Sequence, residues 1–514
     1  MAQAIPGTET DYRSIRLSVT DFGPIAQGEV DLRPLTVFVG PSNSGKTYFA
    51  ILFYALHGLL EGLPKIPLLS TYYPYLWSES SGTQGIEQEV LDLSQKLEAN
   101  SAFLRFRDFP TDVRDALLFP LNDANILGAD LETELGRCFD LETVAHLVRW
   151  SASTGTAELK LDVRERGQDL WQLQARISES GITPRCFIEN PLLILESSRQ
   201  SNSGNRVAAS RTPFLFQRYL KQGDHQLAAA SLLEELVMQA SLDQRPSKAH
   251  YLPAARSGIM QSHRVIASSM IKLATRAGLQ FLPEIPTFSG VMVDFMEKLI
   301  LFQDQRKGSI PMENLAQQME RAVLGGRIRA SRTSSEAYPE FVYHPQGAKG
   351  DIGLTRTSSM VSELAPVVLF LRGVMGKGDW LIIEEPEAHL HPAAQTSMAQ
   401  LLGRMVRAGL KVVITTHSDW LLKEIGNLIR EGELEANPES DDTRGPHWLK
   451  PNEVGTWLFR KESETGSSTV EEIPFDRTEG IEPQDYEAVA EELYNRSASL
   501  QDRWEESQAG SQPA

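Results

Sequence analysis

The sequence predicts an α/β fold with a parallel or mixed sheet, helices packed on it and an inserted, largely helical lobe. Three observations predict this. The short apolar run Leu35–Val39 flows through a glycine-bearing loop into an apolar helix from Tyr48. Two further apolar runs, Trp380–Glu384 and residues 412–416, alternate with helical patterns at 362–372 and 397–407, the signature of parallel strands joined by helices. The chain between these regions is far longer than such a unit needs, so the excess is inserted.

The elements follow in order. Residues 1–10 carry no periodic pattern and read as a frayed terminus. Ile15, Leu17 and Val19 alternate as in a half-buried strand. Residues 86–100 have helical spacing. Leu159, Leu161 and Val163, then Trp171, Leu173, Ala175 and Ile177, alternate around Gly167 and predict a β-hairpin. Residues 197–210, rich in Ser, Asn and Arg, read as a loop. Val265, Ile266, Ser269, Met270 and Leu273 restore helical spacing. A second helix with Leu315, Met319, Ala322 and Val323 stops at Gly325-Gly326, a C-cap signal. The division expected is 1–60 as the first part of the core domain, 61–250 as the inserted lobe and 251–335 as a strand and helical arm. Residues 336–485 complete the core, and 486–514 form an acidic polar tail, expected to be disordered after Gln501.

The chain has 514 residues, 41% of them hydrophobic and 23% charged, an ordinary balance for a chain with a sizeable core. This excludes disordered, collagen-like and disulfide-rich classes. The net charge of −18 argues against wholesale coating of nucleic acid. The charge is uneven: residues 245–332 are net +7, and residues 461–514 are net −10. Arg321, Arg327, Arg329 and Arg332 are the candidates for a basic surface that DNA or RNA would meet. The only cysteines, Cys138 and Cys186, lack metal-site spacing and fit a reducing cytoplasm. The start has no signal pattern, and the longest apolar run, 48–56, is too short to cross a bilayer, so a soluble cytoplasmic protein is expected.

Gly40-Pro41-Ser42-Asn43-Ser44-Gly45-Lys46-Thr47 matches the phosphate-loop pattern, with the strand before it and helix after it that the pattern requires. The glycines let consecutive N–H groups face phosphates, and the helix N-terminus adds positive potential. Lys46 would reach the β- and γ-phosphates, and the Thr47 hydroxyl would bind Mg²⁺. The strand Leu381-Ile382-Ile383 ends in two carboxylates, Glu384 and Glu385. Adjacent strand residues point to opposite sides, so one can serve Mg²⁺ while the other orients a water. Residues 412–416 end at His417, whose imidazole could hydrogen-bond a γ-phosphate oxygen. His389 and His391, with no third ligand nearby, read as structural. Asp441-Asp442 reads as a solvated charge run.

In this order and context the motifs resemble the ABC-type AAA ATPases of the SMC, RecF and OLD group. Gly40 to Thr47 looks like a Walker A motif, and residues 381–385 look like a Walker B strand with its catalytic glutamate. PEAHLHP at 386–392 looks like the loop after that strand, and Thr416-His417-Ser418 like the switch region. Phe22 before Val30-Asp31-Leu32, and YLPAAR at 251–256, are also similar to that group. The resemblance covers roughly 11–60 and 250–485 and implies an ABC-type P-loop ATPase head. It implies a Mg²⁺-dependent ATPase in which two heads sandwich ATP, and thus a homodimer. Glu385 would be catalytic with Lys46 and His417, and Glu384, where many members carry Asp, would serve Mg²⁺ directly or through its water shell. The signature segment falls at Thr357-Ser358-Ser359-Met360, without the family's LSGG glycines. Ser358 or Ser359 would present a hydroxyl to the partner's nucleotide; a helix cap is an equally good account of them. Arg256 reads either as a nucleotide or partner contact or as a structural residue. Without a long heptad repeat, the arms are expected to be short.

Three functions compete. One is an ATPase whose head dimerisation gates work on nucleic acid or an effector protein, as in genome maintenance or anti-phage defence. Another is an ATP-bound scaffold that does not hydrolyse, which the missing glycines favour. The third is a transporter's nucleotide-binding subunit, which the insert disfavours. An OLD-type nuclease domain is not expected in the residues that follow His417.

Overall fold

The computed structural model describes residues 13–62, 104–105, 111, 124–165, 168–188, 194–195, 247–274, 287–302, 310–331, 339–434, 447–462 and 466–509. The helix expected at 86–100, the loop at 197–210, Arg332 and Asp441-Asp442 lie outside them. The chain forms two compact units, residues 1–23 with 52–249 and residues 24–51 with 250–514.

In the first unit, β1 (Arg13–Phe22) pairs antiparallel with β5 (Ala157–Glu165), which pairs with β6 (Gln168–Ser178), which pairs with β7 (Gly181–Ile188). The hairpin read from the alternation is β5–β6, with Leu161 opposite Leu173. A short ribbon joins β4 (Leu104–Arg105) to β8 (Ile194–Leu195). Helix α2 (Ala124–Phe139) buries Leu127, Leu131 and Leu135, one helical face, beside β7.

The second unit holds the sheet order β2 (Ile25–Leu32), β16 (Ser468–Glu472), β15 (Val454–Lys461), β3 (Leu35–Val39), β14 (Lys411–Thr416), β13 (Trp380–Glu384), β9 (Ala249–Leu252). β3 is parallel to both β14 and β15, and β14 is parallel to β13. These central strands are buried on both faces, which is why they read as unbroken apolar runs. Leu35, Val37, Val39, Leu381, Ile383, Val412 and Ile414 feed one continuous core. That core is completed by α3 (Arg256–Ala274), α4 (Gly290–Ile300), α5 (Ile310–Met319), α6 (Ser359–Gly373), α7 (Pro392–Arg407) and α8 (Asp419–Leu434). On the opposite face Phe38 meets Phe49, from the first turn of α1 (Lys46–Gly62), and Phe459 of β15, with ring centroids 5.2 to 5.8 Å apart.

The helix expected around Leu315 is α5. It continues as a π-turn over Glu320–Leu324 and ends at Gly325, whose φ of 61° is the left-handed cap its sequence predicts. A smaller sheet joins β10 (Gly326–Ser331), β11 (Glu340–Pro345) and β12 (Ile352–Gly353). The tail departs from expectation: residues 484–509 form one helix, α9 (Gln484–Ala509). The reason is local. This stretch is rich in Glu, Ala, Gln, Arg and Leu and contains neither Gly nor Pro.

Candidate functional site

Strand register assembles the site. Val39 lies opposite Thr416, Phe38 opposite Thr415, and Thr415 opposite Glu384. Three neighbouring parallel strands therefore end together. The Gly40 loop, Glu385 and His417, each directly after one of them, lie at a single sheet edge. Ligands of open parallel sheets bind outside these carboxyl ends.

The loop must be built on glycine. Gly40 has φ 137°, and a Cβ there would lie 2.4 Å from the Phe459 carbonyl oxygen. Gly45 has φ 101°, and its Cβ would lie 2.7 Å from Ile25 Cγ1. Asn43 also takes a left-handed φ of 60°, which Asn tolerates. The Phe49 amide donates to the Gly45 carbonyl, starting α1 directly under the loop. Lys46 is buried, and its amine donates to the carbonyls of Gly40 at 2.8 Å and Pro41 at 2.7 Å. Burial lowers its pKa to about 8, while Glu385 and Glu387 push it back up. The lysine and these acids therefore share one electrostatic site. Thr47 is exposed, one residue into α1.

The two strand-end carboxylates divide. Glu384 is buried, and its oxygens accept hydrogen bonds from the Tyr251 hydroxyl at 2.5 Å and the Ala254 amide at 2.8 Å. Both of its oxygens are therefore engaged within the chain. The Glu385 side chain is 45% exposed, and its Oε1 lies 3.9 Å from His417 Nε2. Its φ of 45° is strained for a non-glycine residue. Arg256 helps to hold that conformation. Its guanidinium is fully buried and donates to the carbonyls of Glu384 at 2.5 Å and Glu385 at 3.0 Å, while pairing with the Glu363 carboxylate at 3.1 Å. Of the two roles open from sequence, Arg256 takes the structural one within the chain. Burial lowers the His417 pKa, Lys46 lowers it further, and Glu385 opposes both. The ring is therefore biased toward its neutral form.

Sequence reasoning gave Glu387 no role of its own. Its Oε1 accepts from the Thr416 hydroxyl at 2.6 Å and the His417 amide at 2.8 Å. Burial raises its pKa. The one available signal was its place in the PEAHLHP run.

Residues 284–422 match the family model of the AAA ATPase domain. The chain's parallel strands, phosphate loop and acidic strand end make an α/β architecture. The matched span holds Glu384, Glu385, Glu387 and His417, while the phosphate loop lies outside it. No curated protein matches the chain in sequence. Among solved structures, it is similar to an SMC head bound to the C-terminal winged-helix domain of ScpA, at 10% identity and TM-score 0.40, over 90% of this chain and 98% of that one. An SMC head from Thermotoga maritima matches at 9% identity and TM-score 0.34, over 90% of this chain and 99% of that one. A Pyrococcus furiosus Smc head with an extended coiled coil, bound to the C-terminal domain of ScpA, matches at 11% and 0.38, over 94% and 100%.

Ser358 and Ser359 are exposed at the N-terminus of α6. The Ser358 hydroxyl accepts from the Val361 amide at 3.4 Å, the N-cap role anticipated as one account of it. His391 caps α7, accepting from the Ala393 amide, and exposed His389 lies 4.0 Å from Glu363. Among the described residues no three His, Cys, Asp or Glu side chains cluster into a metal cage. Thr47 and the strand-end acids suit a cation that takes most of its ligands from phosphates and water, as Mg²⁺ does. Among the described residues no helix is long and apolar enough to cross a membrane.

Proposed function

We propose that this chain binds Mg²⁺ and ATP at the phosphate loop and hydrolyses the nucleotide when a second copy of the head closes on it. The observation that carries the reading is the meeting of Lys46, Glu385 and His417, distant in sequence, at the ends of adjacent parallel strands. On binding, the Lys46 amine exchanges the Gly40 and Pro41 carbonyls for β- and γ-phosphate oxygens, while the amides from Gly40 to Thr47 cradle the chain. Glu385, partly exposed and facing His417, orients the attacking water and accepts its proton. Neutral His417 donates one hydrogen bond to a γ-phosphate oxygen, where charge accumulates. Thr47, with Glu384 acting through water, would hold Mg²⁺, which neutralises charge on the transferring group.

Closure with a second copy is supported by the exposed Ser358 and Ser359, whose hydroxyls and helix-end amides are open to a nucleotide bound in trans. Work on nucleic acid or an effector is supported by Arg321, Arg327 and Arg329, all exposed within the positive 245–332 segment. The competing scaffold reading draws on the absent signature glycines at 357–360.

The test is steady-state hydrolysis by wild type and Glu385→Gln, with and without duplex DNA. Turnover in the variant should fall about 100-fold or more, with ATP affinity retained and dimer accumulating. Equal turnover in both proteins removes Glu385 from the reaction. Absence of hydrolysis by wild type in every condition selects the scaffold.

A further inference from the structure

The His417 ring is useful only if its turn is fixed, and one side chain is built to fix it. We propose that Glu387 is a positioning residue that locks the β14–α8 turn and thereby aims His417 at Glu385. This rests on the hydrolytic reading above, and adds a residue to it.

The geometry is convergent. A single oxygen, Glu387 Oε1, accepts from two consecutive residues, the Thr416 hydroxyl at 2.6 Å and the His417 amide at 2.8 Å. The same Thr416 hydroxyl oxygen accepts from the Ser418 amide at 3.0 Å. The Ser418 hydroxyl then accepts from the Leu421 amide at 3.0 Å, capping α8. One carboxylate thus anchors a hydrogen-bonded path through residues 416, 417 and 418 into the helix. Glu387 sits two residues after Glu385, so the same loop carries the water-orienting carboxylate and the anchor of its histidine. Glu387 Oε2 is buried without a hydrogen-bond partner. Its charge also acts on Lys46.

Shape and charge separate cleanly. Glu387→Gln keeps an Oε1 acceptor and removes the charge. Glu387→Ala removes both. Thr416→Val removes one donor and leaves Glu387 in place.

The experiment reads two quantities on the full chain. The first is amide exchange at His417, which does not depend on hydrolysis. Exchange should quicken at least tenfold in Glu387→Ala and stay within about threefold of wild type in Glu387→Gln. The second is turnover against nucleotide affinity. Glu387→Ala should lose about tenfold in kcat while affinity for a fluorescent ATP analogue moves less than about threefold, with Glu387→Gln close to wild type and Thr416→Val between. Because the two residues act as a unit, adding His417→Ala to Glu387→Ala should cost little more than either alone. Unchanged exchange at His417 in Glu387→Ala overturns the proposal, as do multiplicative losses in the double variant. If exchange responds as expected while wild type hydrolyses nothing, Glu387 remains the anchor and the hydrolytic reading alone fails.

Discussion

Nucleotide affinity should fall as pH rises through the titration of Lys46. Burial among loop atoms lowers the amine's pKa to about 8, far below an ordinary lysine. A bound triphosphate brings negative charge to the amine and raises that value, so binding favours the protonated form. The sign follows: affinity is complete below about 8 and is lost as pH climbs above it, until the pKa of the bound state is reached. With a free-state value of about 8, roughly nine-tenths of the amines are charged at pH 7 and roughly one-tenth at pH 9, a loss of about tenfold in affinity. The triphosphate contributes little to this slope, because its last ionisation, near pH 6, is complete by pH 8. Titration calorimetry with a non-hydrolysable ATP analogue from pH 7 to 9.5 measures the effect. Buffers of different ionisation enthalpy should report proton uptake near pH 9. Lys46→Met should bind more weakly with a flat profile. Wild-type affinity constant to pH 9.5 would refute the argument, by placing the amine in an ordinary solvated environment.

Two further outcomes follow from packing. Gly40→Ala should abolish nucleotide binding, since φ 137° and a Cβ 2.4 Å from a backbone oxygen leave no room to relax; Gly347→Ala, with φ 79° but open space around it, should cost only about 1–2 kcal/mol of local strain. Nucleotide titration and chemical denaturation of both variants make the comparison. Arg256→Met should destabilise by about 3–5 kcal/mol, because Glu363 is left buried without its counter-charge and two strand-end carbonyls lose a donor. Denaturant unfolding checks it: a cost under about 1 kcal/mol contradicts the clamp, and Arg256→Met with Glu363→Gln should recover part of the loss.

The central strands, the phosphate loop and the left-handed cap at Gly325 were legible in the sequence because their causes are local. Apolar runs bounded by turn residues, glycines at forced φ values and a lysine at fixed spacing act over a few residues. Local composition also favoured α9, where the polar sequence after Gln501 pointed instead to disorder. The meeting of residues 46, 385 and 417 was expected only through the resemblance, since nothing in their spacing requires it. Tertiary structure decided it, through the register that sets Val39 beside Thr416 and Thr415 beside Glu384. It also decided the surroundings of each carboxylate. Glu384 and Glu385 are equivalent as letters, but pleating turns one under the Tyr251 hydroxyl and leaves the other beside His417. Arg256 and Glu387 find their hydrogen-bond partners more than a hundred and about thirty residues away. Such contacts depend on how strands are ordered in the sheet, a property of the whole chain that no short window of sequence carries.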